Sequence, residues 1–127
     1  MHVSLELDIA DSRGIKVVFC RGRLVIGEEG EYFMRKVTSM PPEFPNIVLV
    51  LKDLHRIDSH GVGLIVDLLT RAQRVGGDVK LASVVNKDVL ATLTVTKVAT
   101  IFQIFDDEQA AISSFSETSE PIDGPSI

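Results

Sequence analysis

Tryptophan is missing from this chain, tyrosine occurs once and phenylalanine six times among 127 residues. A core must therefore be assembled from aliphatic side chains, as in a sheet packed against helices. Cysteine is nearly missing too. Cys20 alone cannot close an intramolecular disulfide, and no Cys/His spacing resembles a structural zinc site, which fits a reducing, cytoplasmic compartment. There is no long apolar run. The longest uninterrupted one, Ile47 to Leu51, is far too short to span a bilayer, and the N-terminal residues offer no basic segment leading into an apolar one, so neither membrane insertion nor secretion is expected. Positive charge is in deficit: thirteen Lys plus Arg against eighteen Asp plus Glu leave a formal charge of −5. That is the wrong sign for neutralising a phosphate backbone, and nucleic acid is not expected as a partner. What remains, 45% hydrophobic and 24% charged residues, suits one soluble domain.

Periodicity supplies the elements. Val3, Leu5 and Leu7 alternate with polar residues, as in a strand with one buried face, and Asp11-Ser12-Arg13-Gly14 is a tight turn leading into a second strand from Ile15 to Cys20. Phe33, Val37 and Met40 recur at helical spacing within Gly27 to Met40, with Glu28 and Glu29 at the end where anions are favoured. Pro41 to Pro45 cannot continue that helix and must be a loop. Ile47 to Leu51 reads as a central strand buried on both faces, followed by a connection from Lys52 to Gly61. From Val62, the residues Leu64, Ile65, Leu68, Leu69, Ala72 and Val75 form a helical stripe, with an Asp67–Arg71 ion pair outside it and Gly76-Gly77 as its stop. Val79 to Val84 is a further strand, parallel to the central one. Asn86 caps a third helix through about Leu93, and Ile101 to Phe105 is a last short strand. Asp106-Asp107-Glu108 opens a final helix that buries Ala111, Ile112 and Phe115. Residues 1–115 thus form the domain, and 116–127, rich in Ser, Glu, Pro and Gly, a flexible tail.

The chemically varied stretch is Lys52 to Gly61. Asp58-Ser59 ahead of an apolar helix is in the first place a capping pair, its side-chain oxygens satisfying free amides. A serine hydroxyl at that position is also exposed on a rigid element, where helix amides and dipole tolerate a phosphate of charge about −1.5 to −2. Gly61 and Gly63 suit both readings, because missing side chains let another surface approach the first turn. A nucleophile elbow would need glycine where Ile57 stands, adjacent side chains of Asp58, Ser59 and His60 diverge, and no later histidine completes a triad, so catalysis is not expected. His55, Asp58 and His60 lack the spacing of metal ligands, and Gly61-Val62-Gly63 is too short for a nucleotide signature. No metal or cofactor is expected.

Ile47 to Leu54, then Ile57-Asp58-Ser59-x-Gly61-Val62-Gly63, then Gly76-Gly77 resemble the STAS domain of anti-sigma factor antagonists, and Leu24 to Glu29 and Ile101 to Glu108 look like the flanking segments of that family. The resemblance spans about residues 3 to 115. It implies an α/β fold with a mixed β-sheet of four to five strands and about four helices packed mainly on one side. It further implies a non-enzymatic, cytoplasmic monomer or weak dimer that binds an anti-sigma factor with serine kinase activity and thereby frees a sigma factor. Ser59 would be the phosphoacceptor, its phosphorylation blocking binding and a phosphatase restoring it. Asp58, His60, Gly61, Val62 and Gly63, with Arg23 and Val25 in the segment before the first helix, would contact the partner. Arg23 and Val25 stand where many relatives carry acidic residues, Val50 replaces a common Asp or Asn, and His60 a small residue. A STAS accessory subunit of a signalling scaffold or transporter, with Ser59 only a cap, is the alternative, and a small serine hydrolase a more distant one.

Overall fold

The turn Arg13-Gly14 has positive φ at both residues, 55° and 79°, the geometry whose twist matches that of antiparallel strands. It joins β1 (Leu5–Ser12) to β2 (Ile15–Leu24) as an antiparallel hairpin with Ser12 opposite Ile15. The computed structural model describes residues 4–40 and 46–119; Val3, the proline-rich loop and residues 120–127 lie outside them. After β2 come α1 (Glu28–Thr38), β3 (Asn46–Ile57), α2 (Ser59–Arg74), β4 (Asp78–Ala82), α3 (Lys87–Val95), a single 3-10 turn (Val98–Thr100), β5 (Ile104–Phe105) and α4 (Glu108–Ser119). The five strands lie in the order β1-β2-β3-β4-β5, and every pairing after the hairpin is parallel. The expected mixed sheet is thus present, with five strands and four helices.

Alternation along the strands divides the core in two. Ile47, Leu49 and Leu51 of β3 face Phe33 and Val37 of α1, Ile65 and Leu68 of α2, and Val89 and Leu93 of α3. Val48 and Val50 face the other way, with Ile15, Val17 and Ala82, against Ala111, Ile112 and Phe115 of α4. Three helices therefore cover one face and one covers the other, the arrangement that makes the central strand apolar on both sides. Helix signals act as expected: the Asn86 side chain accepts the Asp88 and Val89 amides at 2.9 and 3.1 Å, and Arg71 reaches Asp67 at 3.0 Å. Gly76, at φ 85°, lets the Gly77 amide reach the Ala72 carbonyl at 2.8 Å and close α2.

Several expectations change: Val75, placed in the apolar stripe of α2, is its C-cap and 58% exposed, and the strand expected to reach Val84 ends at Ala82. The connection assigned to Lys52 to Ile57 is strand: β3 continues to Ile57 and β2 to Leu24. The reason is an irregular register. Between Phe19/Val50 and Arg21/Asp53 β2 advances two residues and β3 three, and between Gly22/Leu54 and Arg23/Arg56 β2 advances one and β3 two. Each step puts an extra residue into β3, so its buried positions run Leu51, Leu54, Ile57 rather than every second residue. The last strand contracts to Ile104–Phe105 behind the 3-10 turn. Helix α4 runs through Ser119, so the domain boundary expected at Phe115 falls inside a helix.

Candidate functional site

The extra residues in β3 carry the chain to Asp58 just past the C-terminal end of this central strand, in extended conformation (φ −108°, ψ −177°), from which α2 departs. Asp58 is the cap. Its Oδ1 accepts the Gly61 amide at 2.8 Å, and its Oδ2 accepts the Ile26 amide at 3.0 Å from the loop between β2 and α1. One carboxylate thus closes the first turn of α2 and fixes the loop beside it. Partial burial is the largest single influence on this carboxyl and opposes its charge, but the amides of Ile26 and Gly61 and the nearby His60 together hold its pKa below the usual carboxylate value.

Ser59 is the first residue of α2 and is exposed. Among the described residues its hydroxyl makes no hydrogen bond, because the cap it could have supplied belongs to Asp58. His60, also exposed, lies over Gly30 of α1: a Cβ at Gly30 would stand 3.3 Å from His60 Cδ2 and 3.1 Å from the Val25 carbonyl. The two glycines part company. Gly61 is buried, and a Cβ there would collide with the Leu24 carbonyl and sit 2.9 Å from Ile57 Cγ1, so its missing side chain serves the packing of α2 on the ends of β2 and β3. Gly63 is exposed, and a Cβ there would meet nothing within 4 Å. Its open side faces outward.

The structure therefore gathers Asp58, Ser59, His60 and Gly63 at one surface corner. Val25 and Val62 do not share that surface. They are 6% and 5% exposed, buried beneath it. Gly61 is withdrawn with them. Arg23 is exposed at the end of β2, in register with Arg56 of β3. His55 lines a shallow cleft with Arg23 and Gly22. No group of three or more His, Cys, Asp or Glu disposed to hold a metal exists among the described residues, and no described helix is long and apolar enough to cross a membrane.

Ile26 is the residue that periodicity could not single out. It is 67% exposed while Leu24 and Val25 on either side of the strand end are buried. The signal in the sequence is three consecutive apolar residues, Leu24-Val25-Ile26, at the close of a strand, where the backbone cannot bury all three.

The STAS domain family model matches residues 6–111. Among solved structures, a candidate anti-sigma factor antagonist from Thermotoga maritima is 28% identical over 85% of this chain and 92% of its own, with a TM-score of 0.73. The anti-sigma factor antagonist SpoIIAA in its unphosphorylated form is 19% identical over 91% of this chain and 98% of its own, with a TM-score of 0.64. A sulfate transporter family protein from Wolinella succinogenes is 13% identical over 87% and 92%, with a TM-score of 0.72. These last two share the fold. No match emerges among curated proteins.

Proposed function

Because this chain belongs to the STAS domain family, we propose that it is an anti-sigma factor antagonist whose binding to an anti-sigma factor with serine kinase activity is switched by phosphorylation of Ser59. One observation carries this reading: Ser59 opens α2 exposed, with its hydroxyl uncommitted among the described residues, while the Asp58 side chain caps the helix. Modification there needs no unfolding and sacrifices no structural bond. The added dianion would sit at the positive end of the α2 dipole, which favours it, and beside the Asp58 carboxylate, which does not. The fold would change little and the surface field a great deal. Gly63, one turn along with open space above it, lets a partner backbone approach the same corner. A phosphatase acting on Ser59 would complete the cycle.

The transporter-family likeness supports a second reading, an accessory STAS domain in which Ser59 is never modified. Incubation with candidate anti-sigma factor kinases and ATP, followed by mapping of the phosphate, separates the two. Phosphate on Ser59, and capture of the same kinase by wild type but not by Ser59→Asp, is the expected result; no phosphate with every kinase offered overturns it. A serine-reactive fluorophosphonate should leave Ser59 unlabelled, whereas labelling would speak for a hydrolase.

A further inference from the structure

The chain carries a formal charge of −5, yet two arginines are paired in backbone register where the sheet runs into α2. Arg23 of β2 and Arg56 of β3 are register partners on paired strands, about 5 Å apart by ordinary strand spacing. Both are exposed. Like charges directly opposite each other in a sheet oppose the pairing, so a fold-serving pair would be expected to share a carboxylate. Among the described residues neither arginine has an ion pair. The acidic side chains of the neighbouring strand, Glu6 and Asp8, are instead held by Arg21 at 2.8 and 3.2 Å. His55, exposed next to Arg56 in sequence, lines one cleft with Arg23, Arg21 and Glu6. Immediately beyond the pair, Ile26 projects its side chain into solvent from a loop that Asp58 holds in place.

We propose that Arg23 and Arg56, with Ile26 beside them, anchor a docking face for a protein partner that presents carboxylates around an apolar contact. The proposal rests on the reading of Ser59 as a binding switch and names the chemistry of the partner. Guanidinium forks match carboxylates in bidentate geometry, and arginine and large apolar residues concentrate binding energy at interfaces. The negative charge of the rest of the surface turns an acidic partner toward this one corner. The sign of the switch agrees: a dianion on Ser59 repels an acidic partner and competes with it for the same arginines, whereas a basic partner would be held more tightly.

The test uses the whole protein and two probes. Hexaglutamate peptide titrated at low salt should produce saturable NMR shifts at Arg23, His55, Arg56 and Ile26, and the Arg23→Glu/Arg56→Glu variant should abolish them. Hexalysine should produce none there. Absence of saturable shifts, or shifts centred elsewhere, overturns the proposal, as does binding of phosphatidylglycerol vesicles at this face where the peptide fails. With the anti-sigma factor found by the Ser59 assay, calorimetry should show about a tenfold or greater loss of affinity in Arg23→Glu/Arg56→Glu, and a smaller one in Arg23→Gln/Arg56→Gln. Arg35→Glu/Arg74→Glu, which changes net charge equally on the last turns of α1 and α2, should bind as wild type. Full affinity in the first variant with loss in Ser59→Asp overturns the docking face and leaves the switch standing. Peptide binding at the arginines with no anti-sigma factor bound leaves the face standing and removes the switch. Thermal unfolding of each variant verifies its fold.

Discussion

Asp58 and Ser59 are adjacent, both oxygen-bearing, and separable. Since Asp58 closes the first turn of α2 and holds the Ile26 amide, Asp58→Ala should lower stability by about 1–2 kcal/mol at neutral pH. Ser59→Ala, whose hydroxyl supports nothing in the described structure, should stay within about 0.5 kcal/mol of wild type; urea titrations of both check the contrast. The pKa of Asp58 is depressed in the folded state, so its charged form stabilises the fold fully above the ordinary carboxylate pKa of 3.8 and loses that contribution as pH falls through the lower folded value. The stability difference between wild type and Asp58→Asn should therefore shrink on acidification below about pH 4. Cys20 behaves in the opposite sense. Burial pushes its thiol up to about 12 from 9.0, so between those values the unfolded chain releases a proton the folded chain retains. Stability should decline over that interval more in wild type than in Cys20→Ala, and the native thiol should resist a disulfide reagent at pH 8 that labels it readily in urea.

At the scale of elements, the first turn of α2 shows what the sequence could and could not say. Its two glycines are spaced as if for one purpose, and pattern alone gives no means of telling them apart. The contacts do, because Gly61 abuts the Leu24 carbonyl and Gly63 abuts nothing. Gly61→Ala should force α2 off the ends of β2 and β3 at a cost of about 1–3 kcal/mol or more. Gly63→Ala, an ordinary helical position with open space, should raise stability by about 0.5–1 kcal/mol. If a partner approaches over Gly63, the same substitution weakens binding; a melt and a binding isotherm on one preparation read both effects. The helices themselves were legible, since Asn86, Asp58 and Gly76-Gly77 act as local signals that no distant contact overrides. The far half of β3 was not. Its extra residues break the two-residue period, so Lys52 to Ile57 reads as a connection, and only pairing with β2 reveals it as strand. The Arg23–Arg56 juxtaposition is hidden for the same reason, being a product of register between segments more than thirty residues apart in sequence.

For the molecule as a whole, burial on both faces of Ile47 to Leu51 was enough to imply a covered sheet, but not how unequally its sides are covered. The face under α1, α2 and α3 holds the larger cluster, while α4 covers the other with Ala111, Ile112 and Phe115 among its described residues. A lysine completes that smaller contact. Lys80 of β4 is 1% exposed, donates from Nζ to Ser114 Oγ at 2.7 Å, and lies 4.1 Å from the centre of the Phe115 ring. Nothing in the pattern of Val79 to Val84 marks it, since a single polar residue in a short strand reads as a solvent position until the last helix is folded over it. A buried ammonium that reaches the Ser114 hydroxyl and the faces of Phe115 and, at 5.7 Å, Phe105 helps tie α4 to the sheet, and truncating the Phe115 ring removes both apolar burial and the nearer cation–π contact. Phe115→Ala should accordingly cost about 3–4 kcal/mol in the attachment of α4. Native-state hydrogen exchange should show α4 amides opening at lower free energy than those of Val48 to Leu51 in the wild type, and nearly unprotected in the variant while β3 stays protected. One common opening free energy for α4 and β3, falling together in Phe115→Ala, would mean that the smaller cluster is no separate unit and that the sheet cannot hold without its last helix.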